Sequence, residues 1–92
     1  MRILALEHPA GDPGALLLRE EALRAWELYQ SGLIRELYFR GDRDEAVLLL
    51  ECRDETEARA LLDTLPLVRD GHVAFDLIPL RSYPGFARLF GG

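Results

Sequence analysis

Ala46-Val47-Leu48-Leu49-Leu50-Glu51-Cys52 opens with five consecutive apolar residues between the polar stretches Asp42-Arg43-Asp44-Glu45 and Arg53-Asp54-Glu55. A run this short, bounded by turn-forming residues, reads as a β-strand. Successive side chains of a strand point to opposite faces, so this strand carries apolar groups on both faces and both must be covered. Arg2–Glu7 has the same character, with Ile3 and Ala5 on one side and Leu4 and Leu6 on the other.

Working outward, Gly41-Asp42-Arg43-Asp44-Glu45 is a polar hairpin turn that leads back to a strand over 33–40. On the other side, Asp54 is a fair N-cap for a helix over 55–65, with acidic residues in the first turn where the helix dipole favours them. Pro66 ends that helix, Asp70-Gly71 makes a turn, and 72–80 forms a fourth strand. Towards the N-terminus, His8-Pro9-Ala10-Gly11-Asp12-Pro13-Gly14 is a loop, and 15–31 is a helix that stops at Gly32. On that helix Leu18, Ala22, Ala25, Trp26 and Tyr29 fall in one sector, extended by Leu17 and Leu28. Leu16 and Leu23 interrupt the polar side and mark a contact surface.

The resulting order, β-α-β-β-α-β, is that of the ferredoxin-like α+β unit: a four-stranded antiparallel sheet with two helices on one face. The helices cover one face only, while two strands are apolar on both. A second copy of the sheet is the simplest cover, which predicts a homodimer with its sheets face to face, a dimeric α+β barrel, alone or within a larger ring. The chain is read as one domain over 1–92, with 83–92 as a C-terminal arm. The arm's Phe86, Leu89 and Phe90 are too apolar to hang free and should dock on a neighbouring subunit or on their own domain.

Composition bounds the function. The 92 residues carry a formal net charge of −5, which argues against nonspecific nucleic-acid binding. All 11 basic residues are arginine, so no lysine Schiff base or lysine general base operates here. No apolar run approaches the roughly 18–20 residues of a membrane span, so no membrane partner is expected. The first residues turn acidic too soon for a signal peptide, which makes a cytoplasmic location the expectation. One cysteine and two distant histidines offer neither a disulfide nor metal-ligand spacing. Phosphate-cradling glycine motifs are absent too, and the expectation is a protein without cofactors.

Candidate chemistry centres on Glu21, a carboxylate inside the apolar sector of the first helix. Partial desolvation there would raise its pKa and suit it to proton transfer near neutral pH. The plainer alternative has it reaching solvent or pairing with Arg24. His8, at the end of the first strand, is a second proton-transfer candidate or simply a polar strand terminus. Trp26, Tyr29 and Tyr38 would line a pocket between helix and sheet, or else fill the core. Arg40 and Arg81 are candidate anchors for an anionic carboxylate ligand, unless they sit in solvent at strand ends. Cys52 reads as a buried, inert thiol.

Two segments resemble the muconolactone isomerase-like family, within the wider group of dimeric α+β barrel proteins. Glu20-Glu21, followed by Glu27-Leu28-Tyr29-Gln30-Ser31-Gly32-Leu33-Ile34-Arg35, resembles the family's glutamate pair, its Ser-Gly helix end and the strand beyond. Leu61-Leu62-Asp63-Thr64-Leu65-Pro66-Leu67 and Asp76-Leu77-Ile78-Pro79-Leu80 resemble its second helix end and closing strand. Ala22 stands where the family enzyme has a lysine after the glutamate pair. The resemblance implies a small oligomer with a pocket for a small, often anionic, organic molecule. It also implies a cofactor-independent isomerase shifting a proton within a lactone or another intermediate of aromatic-compound breakdown, with added weight on Glu21. The alternatives are a noncatalytic ligand-binding or oligomerisation module and a cofactor-free monooxygenase on the same fold.

Overall fold

The computed structural model of the protein describes residues 1–11 and 15–91, without the side chains of Ala15 and Leu16. Asp12-Pro13-Gly14 of the expected loop and the expected contact residue Leu16 thus lie outside the described residues. The elements run β1 (Arg2–Pro9), α1 (Ala15–Gln30), β2 (Ile34–Phe39), β3 (Ala46–Glu51), α2 (Glu55–Leu62), α3 (Pro66–Arg69) and β4 (Val73–Leu80), with a closing 3-10 turn over Gly85–Phe90. The four strands form one sheet in the order β2-β3-β1-β4, with every neighbouring pair antiparallel. This is the ferredoxin-like α+β arrangement.

Register assigns the two faces. Ile3 lies opposite Leu50, and Ala5 lies between Leu48 and Leu77. These side chains, with Ile34, Ala46, Val73 and Phe75, make the inner face and pack against Leu28, Ala58, Leu62, Leu65 and Leu67 from the helical layer. The outer face carries Leu4 opposite Leu49 and Ile78, and Leu6 opposite Val47. Among the described residues no helix covers it, and Leu4, Leu6, Val47 and Leu49 are left only partly shielded.

Local chemistry explains the element ends. Asp54 caps α2 by accepting the Glu57 backbone N–H at 2.8 Å. Ser31 donates its hydroxyl to the Leu28 carbonyl at 2.8 Å, and Gly32 turns the chain out of α1 with φ of +85°. That left-handed conformation costs an L-residue with a Cβ roughly 1–2 kcal/mol.

Several details differ from the expectations. Strand β1 continues through His8 to Pro9, because β4 pairs with it as far as Val73. The missing proline N–H breaks no ladder bond there, since β3 pairs with β1 only up to Leu6. Pro66 does not merely end a helix. Helix α2 stops at Leu62, and Pro66 occupies the first turn of the separate short helix α3, where its fixed φ suits helix initiation. Helix α1 is also rotated from the expected sector. It packs on β2 and α3, and its buried edge runs through Leu17, Glu21, Ala25 and Leu28. Leu18, Trp26 and Tyr29 are left about half exposed beside that edge.

The C-terminal arm stands apart. Tyr83 packs edge-on against Phe86 with ring centroids 5.1 Å apart, but Phe86, Leu89 and Phe90 are exposed. The radius of gyration is 15.3 Å, against about 12 Å for a compact domain of this length.

Candidate functional site

A cleft runs between α1 and the β2 side of the sheet. One part, about 670 Å³, is bounded by Trp26 and Tyr29 from α1 and by Arg35, Glu36, Leu37 and Tyr38 from β2. The adjoining part, about 430 Å³, shares Ala22, Ala25, Leu37 and Tyr38 with the first and continues between Leu18, Phe39 and Leu67 to two carboxylates, Glu7 and Glu21. The cleft exists because α1 leans on the sheet along its Leu17–Leu28 edge, which leaves the neighbouring sector of the helix facing β2 across a gap.

Glu21 descends from α1 and accepts the backbone N–H of Leu67, at the start of α3, at 3.0 Å. Burial pushes its carboxyl above the ordinary glutamate range, while the Leu67 N–H and the nearby Arg69 charge pull the other way. It does not pair with Arg24, which instead contacts Glu27 at 3.5 Å and donates to Thr64 Oγ1 at 3.0 Å. Glu7 continues the inner-face alternation of Ile3 and Ala5. Burial raises its pKa too, opposed by the Ala46 backbone amide and reinforced by the negative charges of Glu21 and Glu45.

The aromatic candidates meet at this cleft. Trp26 and Tyr29 stack with ring centroids 6.2 Å apart, and Tyr38 lines both parts. The Tyr38 hydroxyl donates to Glu36 at 2.8 Å, and that carboxylate raises its pKa. His8 is elsewhere. It projects from the outer face of β1, with Nε2 3.5 Å from Asp76, so the sheet separates it from Glu21.

The two candidate anchors are also apart from Glu21. Arg40 is held bidentately by Asp42 at 2.9 and 2.8 Å, with Glu45 at 3.8 Å, so its charge is already met. Arg81 lies beside Met1, Arg2 and Glu51 at the far end of the sheet. The five-residue step from Arg2 to Glu7 alone spans about 17 Å of strand. The structure therefore brings Glu21, Trp26, Tyr29 and Tyr38 to one cleft and leaves His8, Arg40 and Arg81 outside it. Glu7 escaped the sequence reading. The available signal was its two-residue spacing from Ala5, which put a carboxylate on a face that is otherwise core.

Among the described residues, no group of three His, Cys, Asp or Glu side chains is arranged to hold a metal ion. Cys52 is buried, and burial raises its thiol pKa. Among the described residues, no helix is long and apolar enough to cross a membrane.

The α+β sheet thus carries a helix-side cleft with two partly buried carboxylates, Glu7 and Glu21. No family model matches the chain, and no curated protein matches it by sequence. Among solved structures, a crystal structure of muconolactone isomerase aligns with a TM-score of 0.76, covering 91% of this chain and 92% of that one at 16% identity. The protein thus has a muconolactone isomerase-like fold, and at that identity the likeness is one of fold.

Proposed function

We propose that the cleft binds a small, weakly acidic organic molecule, a lactone or a related breakdown product of an aromatic compound, and that Glu21 shifts a proton within it without a cofactor. The observation that carries this reading is a half-buried carboxylate of raised pKa at one end of an apolar cleft large enough for a small ligand. Carboxylic acids tuned towards neutral pH by burial are effective general acids and bases. Trp26, Tyr29 and Tyr38 form the wall that receives the ligand's flat face. The fold shared with muconolactone isomerase supports the lactone class. His8, Arg40 and Arg81 have no part in this cleft and keep a functional role only if a partner subunit brings them to one.

The test is isomerisation of α-angelica lactone, a β,γ-unsaturated butenolide, to its α,β-unsaturated isomer. Wild-type protein should accelerate the shift, and Glu21→Gln should lose about a hundredfold in rate. Equal rates in the two proteins would remove Glu21 from the chemistry.

Self-association is the second part of the proposal. The chain exposes 6412 Å², whereas a folded monomer of 10.4 kDa exposes about 5400 Å². The excess, about 1000 Å², compares with the roughly 800 Å² that each partner contributes to a stable interface. A second copy facing Leu4, Leu6, Val47 and Leu49, with the arm against a neighbour, would cover the apolar groups that the single chain leaves open.

A further inference from the structure

The cleft contains a second carboxylate that the function proposed above leaves unused. Glu7 rises from the floor of the sheet and Glu21 descends from α1, and both line the same 430 Å³ stretch together with Leu18, Phe39 and Leu67. They reach it by independent routes, strand alternation for Glu7 and helix packing for Glu21. The chain has 11 arginines, yet among the described residues neither carboxylate has a salt-bridge partner. Arg69, the cation whose field reaches Glu21, is held by Asp70 at 2.9 Å. Two partly buried carboxylates that share an apolar stretch, neither ion-paired among the described residues although Arg69 and Arg35 lie in the surroundings, weaken the fold, and such local violations mark sites shaped by function.

We infer that Glu7 is the second proton-transfer group of this cleft, working with Glu21 on the bound ligand. The inference rests on the proton-transfer function proposed above. In a lactone shift the ionised carboxylate takes the proton from the carbon beside the carbonyl, breaking that C–H bond. The electron pair delocalises through the carbonyl as a dienolate. The protonated carboxyl of the other glutamate then forms the new C–H bond at the γ carbon. No electrons leave or enter, the two glutamates exchange protonation states, and solvent resets them. Mutual repulsion favours the singly protonated pair that this step needs. The charged or titratable groups around the pair are Glu45 and His8 near Glu7 and Arg69 near Glu21, with Tyr38 bordering the cleft and Arg35 and Glu36 lining its adjoining part.

Two measurements on the full chain test this. Carbon-13 carboxyl NMR follows the Glu7 titration in wild type and in Glu21→Gln, and the lactone assay compares wild type, Glu7→Gln and Glu7→Asp. The Glu7 midpoint should fall to lower pH when Glu21 is replaced. Glu7→Gln should lose about a hundredfold in turnover with little change in KM, and Glu7→Asp should restore part of it. A Glu7 titration indifferent to Glu21, or a Glu7→Gln variant with wild-type turnover, overturns the inference. Should the wild type leave the lactone unchanged, the isomerase reading fails, and the titration decides Glu7 alone. A coupled titration then keeps the pair as proton carriers for another weakly acidic ligand, and an independent one removes it.

Discussion

Glu7 and Glu21 show how one residue type takes its properties from its surroundings. Glu20, one position before Glu21, is exposed on the outer side of the same helix, whereas Glu21 is turned under it and meets the Leu67 N–H. Desolvation penalises the charged carboxylate, so both cleft glutamates bind a proton more readily in the folded chain than in the unfolded one. Their stabilising contribution is therefore present below the unfolded value of 4.5 and lost as pH rises through the higher folded value. Glu7→Gln removes that loss. The variant should unfold at a higher temperature than wild type at pH 7, and the difference should disappear as pH falls below 4.5. Thermal melts followed by circular dichroism across this range check it, and a gain that grows towards acid would contradict desolvation as the cause.

Among the elements, α1 decides the site. Its end is set by Ser31 and Gly32, which together turn the chain from helix into β2 and so fix how α1 lies over the sheet. A Cβ at Gly32 would meet little, with only the Arg35 guanidinium 3.9 Å away, so the cost of a side chain there is conformational and not steric. Gly32→Ala should lower unfolding stability by about 1–2 kcal/mol, measured by urea denaturation. Because the turn orients the helix, the same substitution should also weaken ligand binding in the cleft. The rotation of α1 has a related origin. Short helix α3 and strand β2 receive its Leu17–Leu28 edge, and the bulky Trp26 and Tyr29 are directed into the gap beside β2.

For the molecule as a whole, the balance of surface is the main constraint. An outer sheet face with Ile78 and Leu80 more than 40% exposed, and an arm with Leu89 and Phe90 more than 70% exposed, leave much apolar area in water. Each buried square ångström of such surface contributes about 25 cal/mol, which is the driving force for the self-association proposed above. The wild-type chain should sediment as a dimer or larger assembly. Leu49→Glu, in the middle of the outer face and away from the cleft, should shift it to monomer while leaving the helix-side core intact. Sedimentation velocity reads this directly, and a monomeric wild type would refute the face-to-face arrangement.

Much of the fold was legible in the chain. Alternation in Arg2–Glu7, the apolar run from Ala46 to Leu50, the cap at Asp54 and the stop at Gly32 are local signals, and local signals specify strands, helices and their ends. The same alternation marks β1 and β3 as apolar on both faces. The site was legible only in part. Helical spacing singled out Glu21, but the angle at which α1 meets the sheet comes from packing against β2 and α3, which are distant in sequence. That angle opened the cleft, kept Trp26 and Tyr29 out of the core, and brought Glu7 into the same space as Glu21. Strand register, likewise a long-range property, put His8 on the opposite face and Arg81 at the opposite end. A single chain specifies which side chains alternate and where helices cap, because those depend on neighbours within a few residues. Which carboxylates share a cleft depends on contacts across dozens of residues, and only the folded chain makes them.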